Sequence, residues 1–178
     1  MSKILEKRMY FLTMYNLLSI QKGIQSGHAA LEYVHKYRSD DEVWDFIENH
    51  KTWMVLNGGT SNDATQSFYG LEKAKGSMEE HLAVLEENGV KTSVFHEPDL
   101  NYALSSICLI VDERVFNSKD FPAFPQYLAK IKNEFSYTFN MNLEEQYVEE
   151  YKDWIKLIGG KKNVFLKEFL SPKNFRLA

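Results

Sequence analysis

The sequence has little cysteine, no long apolar run and no surplus of basic residues, and each scarcity excludes a class of protein. Of its 178 residues only Cys108 is a cysteine, so an internal disulfide framework is excluded. Cys108 lies in the apolar run 107–111, a setting that favours a buried, inert thiol over a nucleophile. No run approaches the roughly 18 apolar residues of a membrane span, and charges interrupt the N-terminus early. We therefore expect a cytoplasmic protein without a membrane partner.

The charges are distributed unevenly between the two parts of the chain. Residues 1–112 carry 10 Lys/Arg against 16 Asp/Glu, a net charge of −6, whereas residues 113–178 carry 11 against 9, a net charge of +2. Proteins that bind a nucleic-acid backbone tightly usually present a basic surface. Composition therefore gives only weak support for a nucleic-acid partner such as tRNA.

The order of apolar segments predicts an α/β domain over residues 1–112, followed by an all-helical C-terminal extension over 113–178. A four-stranded sheet flanked by helices fits this alternation of segments. The last two strands are too close in sequence for a helical crossover, so they should pair antiparallel and make the sheet mixed. The expected strands are 8–15, 52–56, 90–95 and 105–111, and the expected helices between them are 20–37, 43–47 and 78–88.

Serines and glycines mark the predicted ends of several elements. Ser19 is placed to cap the first helix, and Ser39 and Ser77 each begin a Ser-x-x-Glu capping box. Gly89 stands where a left-handed residue ends a helix. The connection 57–76 begins Asn-Gly-Gly and is rich in turn-forming residues. At about 20 residues it is long for a compact domain, and such connections are often functional or mobile.

The extension shows apolar residues at helical spacing, interrupted by Gly159-Gly160. We expect one helix around 124–135, a continuous one over 143–158 and a short one over 164–170. The aromatic stripe of Tyr147, Tyr151 and Trp154 favours a packed core over a stacking platform for bases, because acidic residues surround it. These stripes need a partner, so the extension should pack on the α/β domain or form a homodimer interface.

The residues that suit chemistry are concentrated in the first helix and in the connection 96–103. The stretch 21–30 reads Gln-Lys-Gly-Ile-Gln-Ser-Gly-His-Ala-Ala and directly follows a strand. Gly23 and Gly27 each cost about 1 kcal/mol relative to alanine inside a helix. Because they lie on one face, we expect a neighbouring backbone or a ligand to approach closely there. His28 is either a general base or a histidine packed against the sheet.

This stretch resembles the signature of type-2 peptidyl-tRNA hydrolases. In that family a strand is followed by a Gly-Lys turn and a helix reading Lys-x-Ala-Ala-Gln-Cys-Ser-His-Ala, and Gln25, His28, Ala29 and Ala30 fall in register with it. The order of later elements also agrees, and residues 96–106 occupy the place of the family's Asp-Ala-Gly-x-Thr loop. The resemblance covers roughly the first 112 residues. It implies hydrolysis of the ester bond of peptidyl-tRNA. Residues 96–99 read His-Glu-Pro-Asp but have no suitably spaced second histidine, so we expect no metal site, and no other cofactor is expected.

The resemblance also implies roles for individual residues. His28 would act as the base, Glu97 or Asp99 would orient it, and Lys22 would stabilise the developing oxyanion. The residues expected to contact the substrate are Gln25, Gly27 and Asn101. This sequence departs from the family pattern, whose motif lysine falls on Gln21, whose loop aspartate falls on Glu97 and whose loop threonine falls on Asn101. We therefore expect hydrolase activity that is weak or lost.

A catalytically inactive binding module is the alternative. The connection 57–76 and the extension would then present a surface to a protein partner or a small nucleotide. The acidic core and the altered motif favour this hypothesis. Degenerate relatives of this kind are at home in large tailed-phage genomes, which would fit a role in host interaction or counter-defence.

Overall fold

The computed structural model describes residues 4–61, 76–133, 142–172 and 174–178. The chain divides into an α/β unit, which contains Glu6–Val111 and Ser171–Ala178, and a helical unit centred on Asp112–Leu170. Phe135 of the predicted extension and most of the predicted connection 57–76 lie outside the described residues. Within the described ranges no helix combines the length and the apolarity needed to cross a membrane.

A four-stranded mixed sheet forms the centre of the α/β unit, which confirms the predicted fold class. Strands β1 (Lys7–Met14) and β2 (Thr52–Gly59) run parallel, and β3 (Ser93–Glu97) and β4 (Ala103–Asp112) run antiparallel as predicted. Strand β4 has nine consecutive buried residues, because it lies inside the sheet with a neighbour on each side. The sheet has the order β2-β1-β4-β3.

Helices pack against this sheet through small and aromatic residues. Ala29 and Tyr33 of the first helix are fully buried and join Phe11, Phe46 and Cys108 in one core cluster. The Cys108 side chain is completely buried, as its apolar neighbours predicted. The helical segments of this unit are α1 (Ser19–Lys36), α2 (Asp41–Asp45), a π-helix (Phe46–His50), α3 (Ser77–Glu87) and a 3₁₀ turn (Pro98–Leu100).

The helix caps differ from the prediction, because side chains inside the first turn do the capping. Ser19 is the first residue of α1, and the N–H of Leu18 donates to Oε1 of Gln21 at 2.9 Å. Ser77 likewise lies inside α3, where the N–H of Gly76 donates to Oε2 of Glu79 at 3.0 Å. The third predicted cap, Ser39, is also wrong, since Asp40 precedes α2. Gly89 does adopt the predicted left-handed conformation, with φ of +67°.

Strand β2 continues through Gly58 and Gly59, where the sequence predicted the start of a loop. A Cβ on Gly58 would lie 2.9 Å from Cβ of Leu12 and closer still to Sδ of Met78. The absence of a side chain therefore lets the strand continue between β1 and the start of α3. Ser77 closes the contact by donating its hydroxyl to the Gly58 carbonyl at 3.1 Å.

Gly23 and Gly27 of α1 show the opposite environment. No atom lies within 4 Å of a Cβ built on either residue. The predicted close approach of a neighbouring backbone is therefore wrong for the described residues.

The C-terminal segment pairs with the edge strand β2, which the sequence did not predict. The N–H of Asn57 donates to the carbonyl of Arg176 at 2.9 Å, and the N–H of Ala178 donates to the carbonyl of Val55 at 3.0 Å. Phe175 is buried with its ring 5.1 Å from that of His81. This pairing covers part of a sheet edge that would otherwise expose unpaired backbone groups.

The helical unit has its own core, to which the aromatic stripe contributes. Trp154 is buried, donates its indole N–H to the carbonyl of Pro122 at 2.9 Å, and packs with the partly buried Tyr147 and Tyr151. The predicted continuous helix 143–158 is interrupted at Tyr147, and its second part ends at Gly159 with φ of +91°. The helices are α4 (Glu113–Phe116), α5 (Phe124–Lys132), α6 (Leu143–Gln146), α7 (Val148–Ile158) and α8 (Lys161–Phe169).

Two glycine-to-alanine substitutions should change stability in opposite directions. Gly58→Ala forces a methyl group against Leu12 and Met78, so we expect the free energy of unfolding to fall by about 1–3 kcal/mol. Gly23→Ala adds a methyl group in open space on a helix and should raise it by up to about 1 kcal/mol. Urea denaturation of both variants measures the difference, and equal midpoints would show that the contact around Gly58 is not tight.

The Cys108 thiol should be unreactive in the native protein. Its side chain has no exposed surface, and burial raises the pKa of the thiol well above its usual value. Because the thiolate is the reactive form, we expect Ellman's reagent at pH 8 to label Cys108 only after denaturation. Rapid labelling of the folded protein would contradict this placement.

Candidate functional site

Helix α1 and the β3–β4 hairpin bring together two of the polar residues singled out by the sequence, Gln25 and Glu97. Gln25 is buried on α1, and its amide Nε2 donates to Oε2 of Glu97 at the end of β3. Its amide oxygen Oε1 accepts a hydrogen bond of 2.8 Å from Oγ of Ser105 on β4. Gln25 is thus bound to both strands of the hairpin and satisfies its buried amide there.

An irregularity in the hairpin places Ser105 beneath Gln25. Phe95 pairs with Ser106, but the next residue of β3, His96, pairs with Leu104, so Ser105 is left over as a β-bulge. The Ser105 hydroxyl lies 3.0 Å from the Phe95 carbonyl as well as near Gln25. Bulges re-aim side chains and are over-represented next to functional sites. The sequence carried a signal for this arrangement, since Ser105 and Ser106 interrupt an otherwise apolar strand.

The Glu97 carboxylate is held from two directions. Besides the bond from Gln25, its Oε1 accepts the backbone N–H of Asp99 at 3.3 Å and so caps the 3₁₀ turn. Asp99 and Asn101 are exposed on the same short connection. Asn101 and Tyr102 both adopt the left-handed conformation, with φ of 52° and 57°. Such backbone strain costs about 1–3 kcal/mol per residue and clusters at functional sites.

His28 is exposed and lies flat against a neighbouring ring. Its imidazole stacks on Phe95 of β3, with 4.4 Å between ring centroids and 21° between ring planes. In the described part of the chain neither Glu97 nor Asp99 bonds to this imidazole. The structure therefore brings Glu97 to Gln25 and leaves the His28 ring nitrogens open to solvent. Phe95, which orients His28, was not singled out from the sequence.

Lys22 lies one helical turn before Gln25 and Ser26, at the N-terminal end of the buried face of α1. It is half-buried, and its ammonium takes part in no ion pair with any residue that the structure describes. Gln21, which falls at the position of the family's lysine, is used instead to cap the helix at Leu18. Lys22 is therefore the cation on this end of α1.

Helix α1 carries an imidazole at His28 and an ammonium at Lys22, and its Gln25 contacts the carboxylate of Glu97. These groups are suited to taking a proton from water and to stabilising negative charge. Over the described ranges no three His, Cys, Asp or Glu side chains come together as ligands for a metal ion. Gly27, an expected substrate contact, lies on α1 beside His28 and leaves open space there.

Comparison with protein-family models and with curated proteins gives no match to this chain. The resemblance to type-2 peptidyl-tRNA hydrolases therefore depends on the motif residues of the sequence.

Adjacent serines on β4 should respond differently to removal of the hydroxyl. Ser105→Ala leaves the buried Oε1 of Gln25 without its donor, and we expect a loss of about 1–3 kcal/mol in stability. Ser106 is equally buried, but its hydroxyl has no partner among the described residues, so Ser106→Ala should be neutral or stabilising. Thermal unfolding monitored by circular dichroism measures both. A larger loss for Ser106→Ala than for Ser105→Ala would disprove the assigned network.

Proposed function

We propose that the α/β unit is a divergent type-2 peptidyl-tRNA hydrolase-like domain with weak activity toward the ester bond of peptidyl-tRNA. The observation that carries this proposal is the hydrogen bond from Gln25 to Glu97, which joins positions 72 residues apart. The resemblance assigned the helix motif and the loop before β4 to one site, and hydrophobic patterning alone does not require these two polar side chains to meet. Their contact supports the proposal.

In the proposed reaction, His28 takes a proton from the attacking water. Its imidazole is exposed, is held in one plane by Phe95, and makes no hydrogen bond within the described residues that would compete for the proton. Lys22 stabilises the oxyanion that develops on the ester carbonyl. Collapse of this oxyanion breaks the bond between the acyl carbon and the ribose oxygen, and the protonated His28 returns its proton to the departing oxygen. Glu97 acts as a positioning residue, because its bonds to Gln25 and to the backbone of Asp99 fix the loop against α1.

The same geometry explains why the activity should be weak. In serine proteases, replacing the aspartate that orients the histidine base lowers kcat about 10⁴-fold, because the imidazole adopts the wrong tautomer. Here the carboxylate of Glu97 is bound to Gln25 and not to His28. The net charge of −6 over residues 1–112 further opposes binding of an anionic substrate such as tRNA.

Hydrolysis of N-acetyl-aminoacyl-tRNA by the purified protein tests this proposal. We expect slow release of the acyl-amino acid above a buffer blank. His28→Ala should reduce release about 10²-fold or more, to background, because general base catalysis contributes that much. Lys22→Gln should also reduce it. His35→Ala is the matched control, since His35 is another exposed histidine on α1, two turns beyond His28, and should leave the rate unchanged.

Two results would refute the assignment. One is the absence of release by wild-type protein whose circular dichroism shows it folded. The other is equal loss of activity in His28→Ala and His35→Ala, which would indicate a general effect on α1.

A non-catalytic binding module is the second candidate, and the observation that favours it is that no carboxylate among the described residues forms a hydrogen bond with His28. In that function the α/β unit would retain its sheet and helix for a protein partner or a small nucleotide. The salt dependence of tRNA binding separates the two candidates. A hydrolase of tRNA esters loses affinity as salt rises, whereas a module for another partner shows no tRNA affinity at any salt concentration.

A further inference from the structure

An apolar groove of about 620 Å³ lies on the α/β unit between α1 and the segment that leads from the π-helix into β2. Ile24 and Leu31 of α1 form one wall, and Trp53 of β2 forms the other. These three side chains are 50%, 70% and 45% exposed, although large apolar residues are usually buried. The groove is therefore an unusual amount of apolar surface concentrated in one concavity.

Gly27 keeps this groove open. It lies on the α1 wall, and a Cβ at this position would meet no atom within 4 Å. Glycine inside a helix costs about 1 kcal/mol relative to alanine, and no contact within the described residues offsets that cost. A longer side chain here would fill the concavity, so the glycine leaves room for a molecule that enters the groove from outside.

Lys51 supplies a cation at the edge of the groove through an uncommon backbone conformation. It follows the π-helix, donates its N–H to the Phe46 carbonyl at 3.2 Å, and adopts the left-handed region with φ of 59°. Left-handed non-glycine residues and π-helices both occur preferentially at functional sites. The Lys51 ammonium forms no ion pair in the described part of the chain, whereas the nearby Lys7 is paired with Asp45.

We propose that the groove binds a free anionic amphiphile, a single apolar chain or ring system that ends in one carboxylate. The apolar body lies between the α1 wall and Trp53, and the carboxylate pairs with Lys51. The volume falls within the range of about 300–1,000 Å³ that is usual for small-molecule sites. Apolar walls with one or two polar residues at their border are also typical of such sites, and here Lys51 and His28 border walls that are otherwise apolar. This binding does not depend on ester hydrolysis.

Sodium dodecanoate, below its micelle concentration, is the probe for the full-length protein. Binding is measured by calorimetry and by the fluorescence of Trp53, whose ring lies in the groove 4.8 Å from Phe11. We expect saturable binding with one site per chain. Trp53→Phe should abolish the change in tryptophan fluorescence on binding, but the heat of binding should remain measurable.

Two leucine substitutions on α1 provide a matched pair. Gly27→Leu should abolish binding, because its side chain occupies the groove. Gly23→Leu places the same side chain on the same helix, also in open space but outside the groove, and should bind as wild type does. Urea denaturation of both variants confirms that they are folded.

The headgroup is tested separately. Lys51→Gly removes the ammonium and suits the left-handed backbone, and we expect binding about fivefold weaker, the loss of one exposed ion pair. Lys51→Arg should retain affinity. Dodecanamide has the same chain without the charge. Its affinity for the wild-type protein should not exceed the affinity of dodecanoate for Lys51→Gly.

Several outcomes would overturn the proposal. These are no saturable binding by wild type, equal binding by Gly27→Leu and Gly23→Leu, or dodecanamide binding as tightly as dodecanoate. A concentration-dependent dimer in ultracentrifugation that Gly27→Leu disrupts and dodecanoate leaves intact would assign the groove to a second copy of the chain instead.

Discussion

The buried amide of Gln25 fixes how α1 lies on the hairpin. It donates to Glu97 and accepts from Ser105, so both of its polar groups are satisfied inside the α/β unit. One turn later Ser93 donates its hydroxyl to the Ala29 carbonyl at 2.6 Å. Because a buried polar group without a partner costs about 1–3 kcal/mol, these bonds allow essentially one position of the helix along the strands. The exposed faces of α1, with His28 and Gly27, take their directions from that position.

At the β2 edge of the sheet, the packing depends on two glycines, which have no side chain. Gly58 lets β2 pass between Leu12 and Met78, and Gly59 turns in the left-handed region with φ of +91°. Strand β2 pairs with the C-terminal segment just before these glycines, through Asn57 and Val55. The close packing around Gly58 and the open space around Gly27 have different consequences. The first builds the fold, and the second leaves room for a molecule that is not part of the chain.

The sequence predicted those features that depend on local pattern. The four strands, α1, the left-handed Gly89 and the buried Cys108 all follow from residue periodicity and from glycine's conformational freedom. Positions 25 and 97 were selected through the family resemblance, and the structure places their side chains in contact.

Features that depend on distant parts of the chain could not be predicted in this way. The C-terminal segment does not alternate apolar and polar residues as a typical strand does. Its pairing depends on the free edge of β2, which lies far away in the sequence. The π-helix Phe46–His50 begins at a residue that is buried in the core, and the N–H of Lys51, which follows the helix, donates to the Phe46 carbonyl. The groove requires α1 and Trp53 to lie opposite each other, which no local pattern encodes.

His28 connects the two proposals physically, because its ring stacks on Phe95 and also borders the apolar groove. An amphiphile in the groove would therefore contact the imidazole that is proposed to take a proton from water. If bound substrate changes the affinity of the protein for the amphiphile by some factor, the bound amphiphile must change the affinity for substrate by the same factor, because linkage between two sites is reciprocal. The two proposed functions can be tested independently at Lys51. This residue borders the groove, whereas the Gln25–Glu97 contact lies on the buried face of α1. A substitution at Lys51 thus changes the groove's charge without altering the contact on which the proposed hydrolase site depends.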